Sequence, residues 1–316
     1  MLIVDKSEII KKILKLKSEK NAVILAHYYQ LPEIQDIADF VGDSLALSQQ
    51  ALKTDADIII FAGVHFMAET AKILNPERKV IIPDLNAGCS LADSCPYDDF
   101  KNFINQYPEY KVISYINCSA EIKTVSDVIC TSSNALQIVN SFPLNEKLIF
   151  TPDKNLGSYI NNISGRNMIL WNGYCHVHDR LNTETIVKLK INHPDAKLIA
   201  HPECKPQVLE IADYIGSTAA LLNYVSKSSE KKFIVATESG ILHQMKKNCP
   251  DKQFFIVPSD SNCSCNDCDF MKIITLDKIY NSLLNEEPEI KLSDEIIEKA
   301  YKPIFKMLKL SNSLIK

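Results

Sequence analysis

Glycine is scarce in this chain, 8 of 316 residues, and neither a GxGxxG fingerprint nor a Walker A loop occurs. Nucleotide binding through a glycine-rich phosphate cradle therefore has no direct support. No apolar run is long enough to span a bilayer. The opening MLIVDKSEIIKKILKLKSEK lacks the apolar stretch and small-residue cleavage site of a secretory leader. The expectation is a soluble cytoplasmic protein with no membrane partner. No basic patch stands out either, with 35 Lys and Arg against 39 Asp and Glu. That balance argues against nucleic acid as a partner. A local excess of positive charge is all that an anionic metabolite requires.

Hydrophobic residues make up 46% of the chain, enough for sizeable cores in one large domain or two to three small ones. At the N-terminus, Asp5 to Ser7 can cap a helix that carries Ile9, Ile10, Ile13 and Leu14 on one face. Cysteine is plentiful, with 10 residues, at 89, 95, 118, 130, 175, 204, 249, 263, 265 and 268. A reducing cytosol rules out a disulfide framework. Cys118 and Cys130 lie in or beside the strand-like runs VISYINC and VIC and read as small core hydrophobes.

Three segments repeat one pattern: AVILAHYYQLPEIQDIADFVGDS, KVISYINCSAEIKTVSDVICTSS and KLIAHPECKPQVLEIADYIGST. Seventeen positions separate His27 from Ser44, Tyr115 from Ser132 and His201 from Thr218. An Asp stands five positions before each hydroxyl residue: Asp39, Asp127 and Asp213. Each copy continues with a helical stretch, a strand, a second helix and a last strand, as in DIIIFAG, FMAETAKIL and KVIIP. Strands alternating with helices indicate parallel α/β units with right-handed crossovers. The expected fold is α/β, with three homologous αβα three-layer domains around a pseudo-threefold axis. Their boundaries are placed at 20–95, 96–180 and 181–272, with helical flanks at 1–19 and 273–316. In the last flank Ser293 should cap a helix that Pro303 kinks or divides.

Each repeat closes on a cysteine loop: NAGCSLADSC, WNGYCHVHD and SNCSCNDC. Units packed about one axis bring equivalent loops together, so Cys89, Cys175 and Cys268 would meet as three thiolates. Such a set holds a metal or a cluster with one corner open. Soft thiolates leave zinc and iron–sulfur both possible, and a local zinc knuckle of Cys263, Cys265, Cys268 and one outside residue is a rival. Ser44, Ser132 and Thr218 each follow a short strand and read as helix caps. Three helix N-termini on one axis also make an anion site. The polar residues His27 and Tyr29, Tyr115 and Asn117, and His201 and Glu203 would join that pocket and move protons there. In FMAETAKIL, Met67 and Glu69 read as packing residues.

These residues resemble the quinolinate synthase family. The resemblance rests on AHYYQLPEIQDIADFVGDSLALS, FAGVHFMAETAKILNP, YINCSAEIKTVSDVICTSSNA, PDKNLGSYI, GYCHVH, HPEC, ADYIGST and MKIITLDKIY, in order from about His27 to Tyr280. It implies condensation of iminoaspartate with dihydroxyacetone phosphate to quinolinate, phosphate and water. It also implies one [4Fe–4S] cluster on Cys89, Cys175 and Cys268, whose open iron acts as a Lewis acid. By the same resemblance His27, Ser44, Asn117, Ser132, His201, Ser217 and Thr218 hold carboxylate or phosphate groups. Tyr29, Glu203 and Thr218 transfer protons, and Tyr115 positions the substrate. An L-aspartate oxidase is the implied functional partner. Tyr28 departs from the pattern, because other members often carry Asn there. Cys95 is a rival to Cys89, and the Cys265–Cys268 spacing suggests a redox switch. The competing readings are another iron–sulfur hydro-lyase, a redox or metal sensor, and a zinc-stapled phosphosugar-binding protein.

Overall fold

The computed structural model describes residues 6–259 and 266–311. Cys263 and Cys265, and with them the zinc knuckle and the redox pair, lie outside the described residues. The first unit runs α1 (Lys6–Glu19), β1 (Ala22–His27), α2 (Pro32–Ile37), β2 (Phe40–Gly42), α3 (Ser44–Lys53), β3 (Ile58–Ala62), α4 (His65–Leu74), β4 (Lys79–Ile81) and α5 (Ser90–Asp93). The second repeats it: α6 (Tyr97–Ile104), β5 (Lys111–Tyr115), α7 (Ala120–Thr124), β6 (Val128–Cys130), α8 (Ala135–Asn140), β7 (Leu148–Thr151), α9 (Lys154–Ser164), β8 (Ile169–Leu170) and α10 (His176–Asp179). The third does so again: α11 (Thr183–Asn192), β9 (Lys197–Ala200), α12 (Pro206–Glu210), β10 (Tyr214–Ile215), α13 (Thr218–Lys227), β11 (Lys232–Ala236), α14 (Ile241–Asn248), β12 (Gln253–Ile256) and α15 (Asp269–Lys272). Two further helices follow, α16 (Leu276–Asn285) and α17 (Asp294–Leu310).

All three sheets are parallel and share one strand order, β2-β1-β3-β4, β6-β5-β7-β8 and β10-β9-β11-β12. The fold is therefore the expected α/β architecture of three αβα units. The central strands are almost wholly apolar, as parallel strands covered on both faces must be: every residue of IIIFA in β3 is buried. The helix α1 stands, in chain order, where α6 and α11 stand in the later copies. It buries Ile9 and Ile13 and packs on α16, while Leu14 remains exposed.

The repeated Asp has a structural task. Asp39, Asp127 and Asp213 each donate a backbone N–H to the first strand, at Ile24, Val112 and Leu198, and each carboxylate accepts the N–H of that same residue at 2.7–2.8 Å. A lysine pairs with each carboxylate: Lys17, Lys111 and, in the third unit, both Lys190 and Lys197. Burial raises the pKa of Asp213, but the Leu198 N–H and the two lysines outweigh it and hold the carboxyl below its ordinary value. Asp213→Ala is expected to lower the unfolding free energy by about 1.5–3 kcal/mol, the worth of a hydrogen bond to a charged group. The urea midpoint should fall at constant m; an unmoved midpoint would contradict this reading.

At the C-terminus Ser293 caps α17 as expected, accepting the Ile296 N–H, and Pro303 does not divide the helix, which continues through it to Leu310. Proline removes one backbone donor and crowds the preceding turn. Here Pro303, Ile304, Met307 and Leu308 are buried and α17 packs on α4, α7 and β6, which offsets the lost bond. The helix thereby fastens the first unit to the second.

Candidate active site

His27 and Tyr115 end the first strands of their sheets, and His201 follows the last residue of β9. At each of these strands the chain turns to one side for the second strand and crosses to the other for the third. Such switch points, at the carboxyl ends of parallel strands, are where open α/β sheets bind ligands. The three switch points open on one pocket of about 690 Å³ of empty space, its mouth included. The first unit contributes His27, Tyr29, Ser44 and Cys89; the second Tyr115, Asn117, Ser132 and Cys175; the third His201, Glu203, Thr218 and Cys268. Met67 also reaches the wall, while Glu69 is a packing residue that accepts the N–H of Ala120 at the start of α7. Cys95 lies elsewhere, in a separate core of the second unit.

The hydroxyl residues are not the helix caps. Asp43 caps α3 and Ser217 caps α13, accepting the N–H of Ala46 and Ala220, so Ser44 and Thr218 are the first helical residues instead. In the second unit a turn over Thr131–Asn134, closed by the Asn134 side chain, precedes α8 and carries Ser132. With capping done one residue earlier, the Thr218 hydroxyl is left for Tyr29. The caps themselves are joined. Ser133 donates to Asp43 at 2.6 Å and pairs with Ser217 at 2.8 Å, which ties together residues of all three units. Ser217 is thus engaged in this link and is not among the pocket-lining residues.

The cysteine loops are equivalent in backbone detail. His65, Lys154 and Ser239 donate N–H to the carbonyls of Ala87, Gly173 and Asn266, each two residues before a pocket cysteine. Cys89, Cys175 and Cys268 then stand at the N-caps of α5, α10 and α15. Burial pushes Cys89 up to about 12 and Cys268 up to about 11, and it raises Cys175 as well. The three thiols also oppose one another's ionisation, and nearby backbone N–H groups partly offset it. Buried carboxylates brace two of the loops: Asp153 accepts the Cys175 N–H and Glu238 the Cys268 N–H.

Across the pocket a chain of hydrogen bonds links residues of every unit. Thr218 and Tyr29 hydroxyls meet at 3.1 Å, Tyr29 and Thr237 at 2.8 Å, and Thr237 and His178 Nε2 at 2.9 Å. His178 Nδ1 lies 2.8 Å from Glu203 Oε2, and the Tyr115 hydroxyl donates to Glu203 Oε1 at 2.5 Å. Burial raises the pKa of Glu203, but His178, His201 and Tyr115 overcome it and hold the carboxyl at about 2. Asp153 takes the opposite course: burial first, then the charge of Glu203, push it well up. Burial likewise raises Tyr29 and Tyr115 well above the ordinary phenol value, so both are proton donors at neutral pH.

His27 and His201 are mirror cases. Nδ1 of each accepts the backbone N–H two residues on, from Tyr29 and Glu203, which leaves the proton on Nε2. Burial lowers both to about 3, so each is a neutral donor. An unfolded histidine titrates near 6.5, so only the unfolded chain takes up these protons between pH 6.5 and 3. Stability should therefore fall as pH drops through that window, by up to about 1.4 kcal/mol per pH unit for each histidine. His27→Gln should flatten the fall of the urea midpoint between pH 6.5 and 4.5. An equal fall in the variant would count against a neutral His27.

Sequence reasoning passed over His178, Thr237, Asp153 and Glu238. Of these only His178 carried a signal, three residues after Cys175 in GYCHVH. A pocket of neutral donors, an ionised carboxylate held by hydrogen bonds on both oxygens, and proton-bearing phenols suits chemistry on a small polar molecule, which places the chain among enzymes. The sequence model described as quinolinate synthetase A protein matches residues 11–309. The chain is 60% identical over 299 residues to a quinolinate synthase of Microcystis aeruginosa, covering 95% of this chain and 94% of that one. Quinolinate synthases of Trichodesmium erythraeum and Cyanophora paradoxa are 57% and 54% identical, each over 96% of this chain and covering 94% and 93% of theirs. The chain belongs to the quinolinate synthetase A family. Among the described residues no helix is long and apolar enough to cross a membrane.

Proposed function

We propose that the protein is a quinolinate synthase of NAD biosynthesis that condenses iminoaspartate with dihydroxyacetone phosphate to quinolinate, phosphate and water. The observation that carries this reading is the hydrogen-bonded chain from Thr218 to Tyr115, which faces three thiols across one pocket in a member of this family. Both substrates are anionic. The N-termini of α3 and α13, the Nε2–H groups of His27 and His201, and Ser44, Ser132 and Asn117 suit their carboxylates and phosphate. Ring formation needs protons taken from carbon and given to departing oxygen. Glu203 is ionised and takes the first kind; Tyr29, backed by Thr218 and Thr237, gives the second. Tyr115 fixes Glu203 and bounds the substrate. An L-aspartate oxidase would supply the iminoaspartate, and the reaction belongs in the cytoplasm.

The donor set fits a [4Fe–4S] cluster. Three half-buried thiols from equivalent loops oppose one another's ionisation, a cost that a bound cationic centre removes. The backbone N–H groups of the short helices beside them suit thiolate sulfur. Held by Cys89, Cys175 and Cys268, the cluster would supply a Lewis acid at its iron without a protein ligand.

A specific observation favours a second reading. Ligand atoms of Cys175, His178 and Glu203 lie within 4.8 Å of one another and suit a single metal ion. That arrangement leaves Cys89 and Cys268 without a role. Anaerobic reconstitution, followed by iron and sulfide analysis and an assay with both substrates, tests the two together. Iron matched by acid-labile sulfide, with quinolinate formed, is expected; metal without sulfide favours the single ion. A loaded cluster without quinolinate would overturn the assignment.

A further inference from the structure

Beside the third cysteine, Glu238 at the pocket wall pairs with the half-buried Lys272, and the proposed chemistry does not use that ion pair. Glu238 is fully buried. Its Oε1 accepts the Cys268 N–H at 3.0 Å and Lys272 Nζ at 2.9 Å, and its Oε2 accepts the Gly240 N–H at 2.7 Å. Lys272 reaches on to the first unit and donates to the Tyr29 carbonyl at 2.6 Å. The two backbones already touch there: a Cβ on Gly240 would stand 2.8 Å from Tyr29 backbone carbons and 2.9 Å from Glu238 Oε2. The Gln35 amide clasps the same junction, donating to the carbonyls of Tyr28, Gln30 and Gly240.

The repeat shows that this is an addition. At the equivalent place the second unit has Asp153, which holds the Cys175 N–H through its carboxylate, but no lysine salt bridge to Asp153 is among those of the described residues. The first unit has Val64, which has no group to hold Cys89. Taking the Glu238 carboxylate wholly out of water is costly, and Lys272 stays 19% exposed, so a device confined to one unit and pointed at Tyr29 calls for a purpose. We propose that Glu238 and Lys272 form a strut that sets the Cys268 loop and the Tyr29 turn in one fixed relation. Glu238 is then a positioning residue, acting through Cys268, and Lys272 carries the constraint to Tyr29. This rests on the proposed function only in giving Cys268 and Tyr29 their work.

The test uses the full chain free of metal, so it does not depend on quinolinate formation. Lys272→Met and the double variant Glu238→Gln/Lys272→Met are treated with a maleimide, and separately with a tyrosine-nitrating reagent, and the modified sites are mapped by peptide mass. Both variants should raise Cys268 alkylation and Tyr29 nitration together, by about tenfold, as local opening does. Cys89 and Cys175 should react at the wild-type rate. The double variant leaves no unpaired buried charge, so it remains readable where the single variant fails to fold. Wild-type rates at both sites, a rise at only one of them, or an equal rise at all three cysteines would overturn the strut.

Discussion

Glu203→Gln should lower the kcat for quinolinate formation by about 10³-fold, within the range for losing a placed general base. KM should change far less, because the carboxylate's task is to take a proton and the anion-holding groups are elsewhere. The geometry explains why one atom matters so much. Glu203 is 3% exposed and receives donors on both oxygens, Tyr115 at 2.5 Å and His178 at 2.8 Å. An amide offers one oxygen to these two donors and turns its NH2 against the other. The charge also sets its neighbour's state. With Glu203 neutral, one of the causes that raises Asp153 disappears. The pH profile carries a separate prediction from the same residue. Its pKa is depressed to about 2, so the carboxylate stays charged as pH falls and is lost only near that value. An acid limb between pH 5 and 7 must therefore come from another group, and Glu203→Gln should scale the profile down without moving such a limb. A variant retaining a tenth or more of the wild-type kcat would remove Glu203 from the chemistry.

Much of the architecture was legible because duplication wrote it three times. The seventeen-residue spacing and the repeated Asp located the first strand, the second strand and the following helix in every unit. The structure shows why that Asp recurs: it staples those two strands together through its backbone and its carboxylate. The opening helices of the second and third units escaped notice. Tyr97–Ile104 does turn one apolar face, Tyr97, Phe100, Phe103 and Ile104, onto the second unit's core and was simply passed over, whereas Thr183–Asn192 buries Ile186 while Val187 and Ile191 are exposed. In the pocket, places that are polar in every copy were found, as at Tyr29, Asn117 and Glu203, and those that are polar in only some copies were not. Val64, Asp153 and Glu238 occupy one place, as do Gly63, Pro152 and Thr237, and identity across copies cannot reveal what each unit does alone. The caps were misplaced by one residue for a local reason. Asp43 and Ser217 precede hydroxyl residues that are themselves good caps, and only the backbone distinguishes them.

Cys175→Ser should abolish cluster loading and reduce quinolinate formation to background, and Cys89→Ser should do the same, while Cys95→Ser retains both. Serine keeps the shape of the loop but replaces a soft sulfur donor with a poor oxygen one. At Cys175 the fold should survive, since Asp153 still accepts the backbone N–H and His178 keeps Glu203 and Thr237. The thermal midpoint of the metal-free variant should therefore match that of metal-free wild type. Cys95 is the control that separates location from chemistry. It is 2% exposed, its sulfur lies 3.3 Å from the Thr151 hydroxyl, and it packs beside Phe100 and Cys118 away from the pocket. Burial pushes its thiol up to about 12, so it remains protonated. Cys95→Ser should lose a little stability and no iron. Iron and sulfide contents of the three variants, reconstituted side by side, decide the matter. A full cluster in Cys89→Ser beside an empty Cys95→Ser would transfer the ligand role to Cys95 and break the equivalence of the three loops from which the site was built.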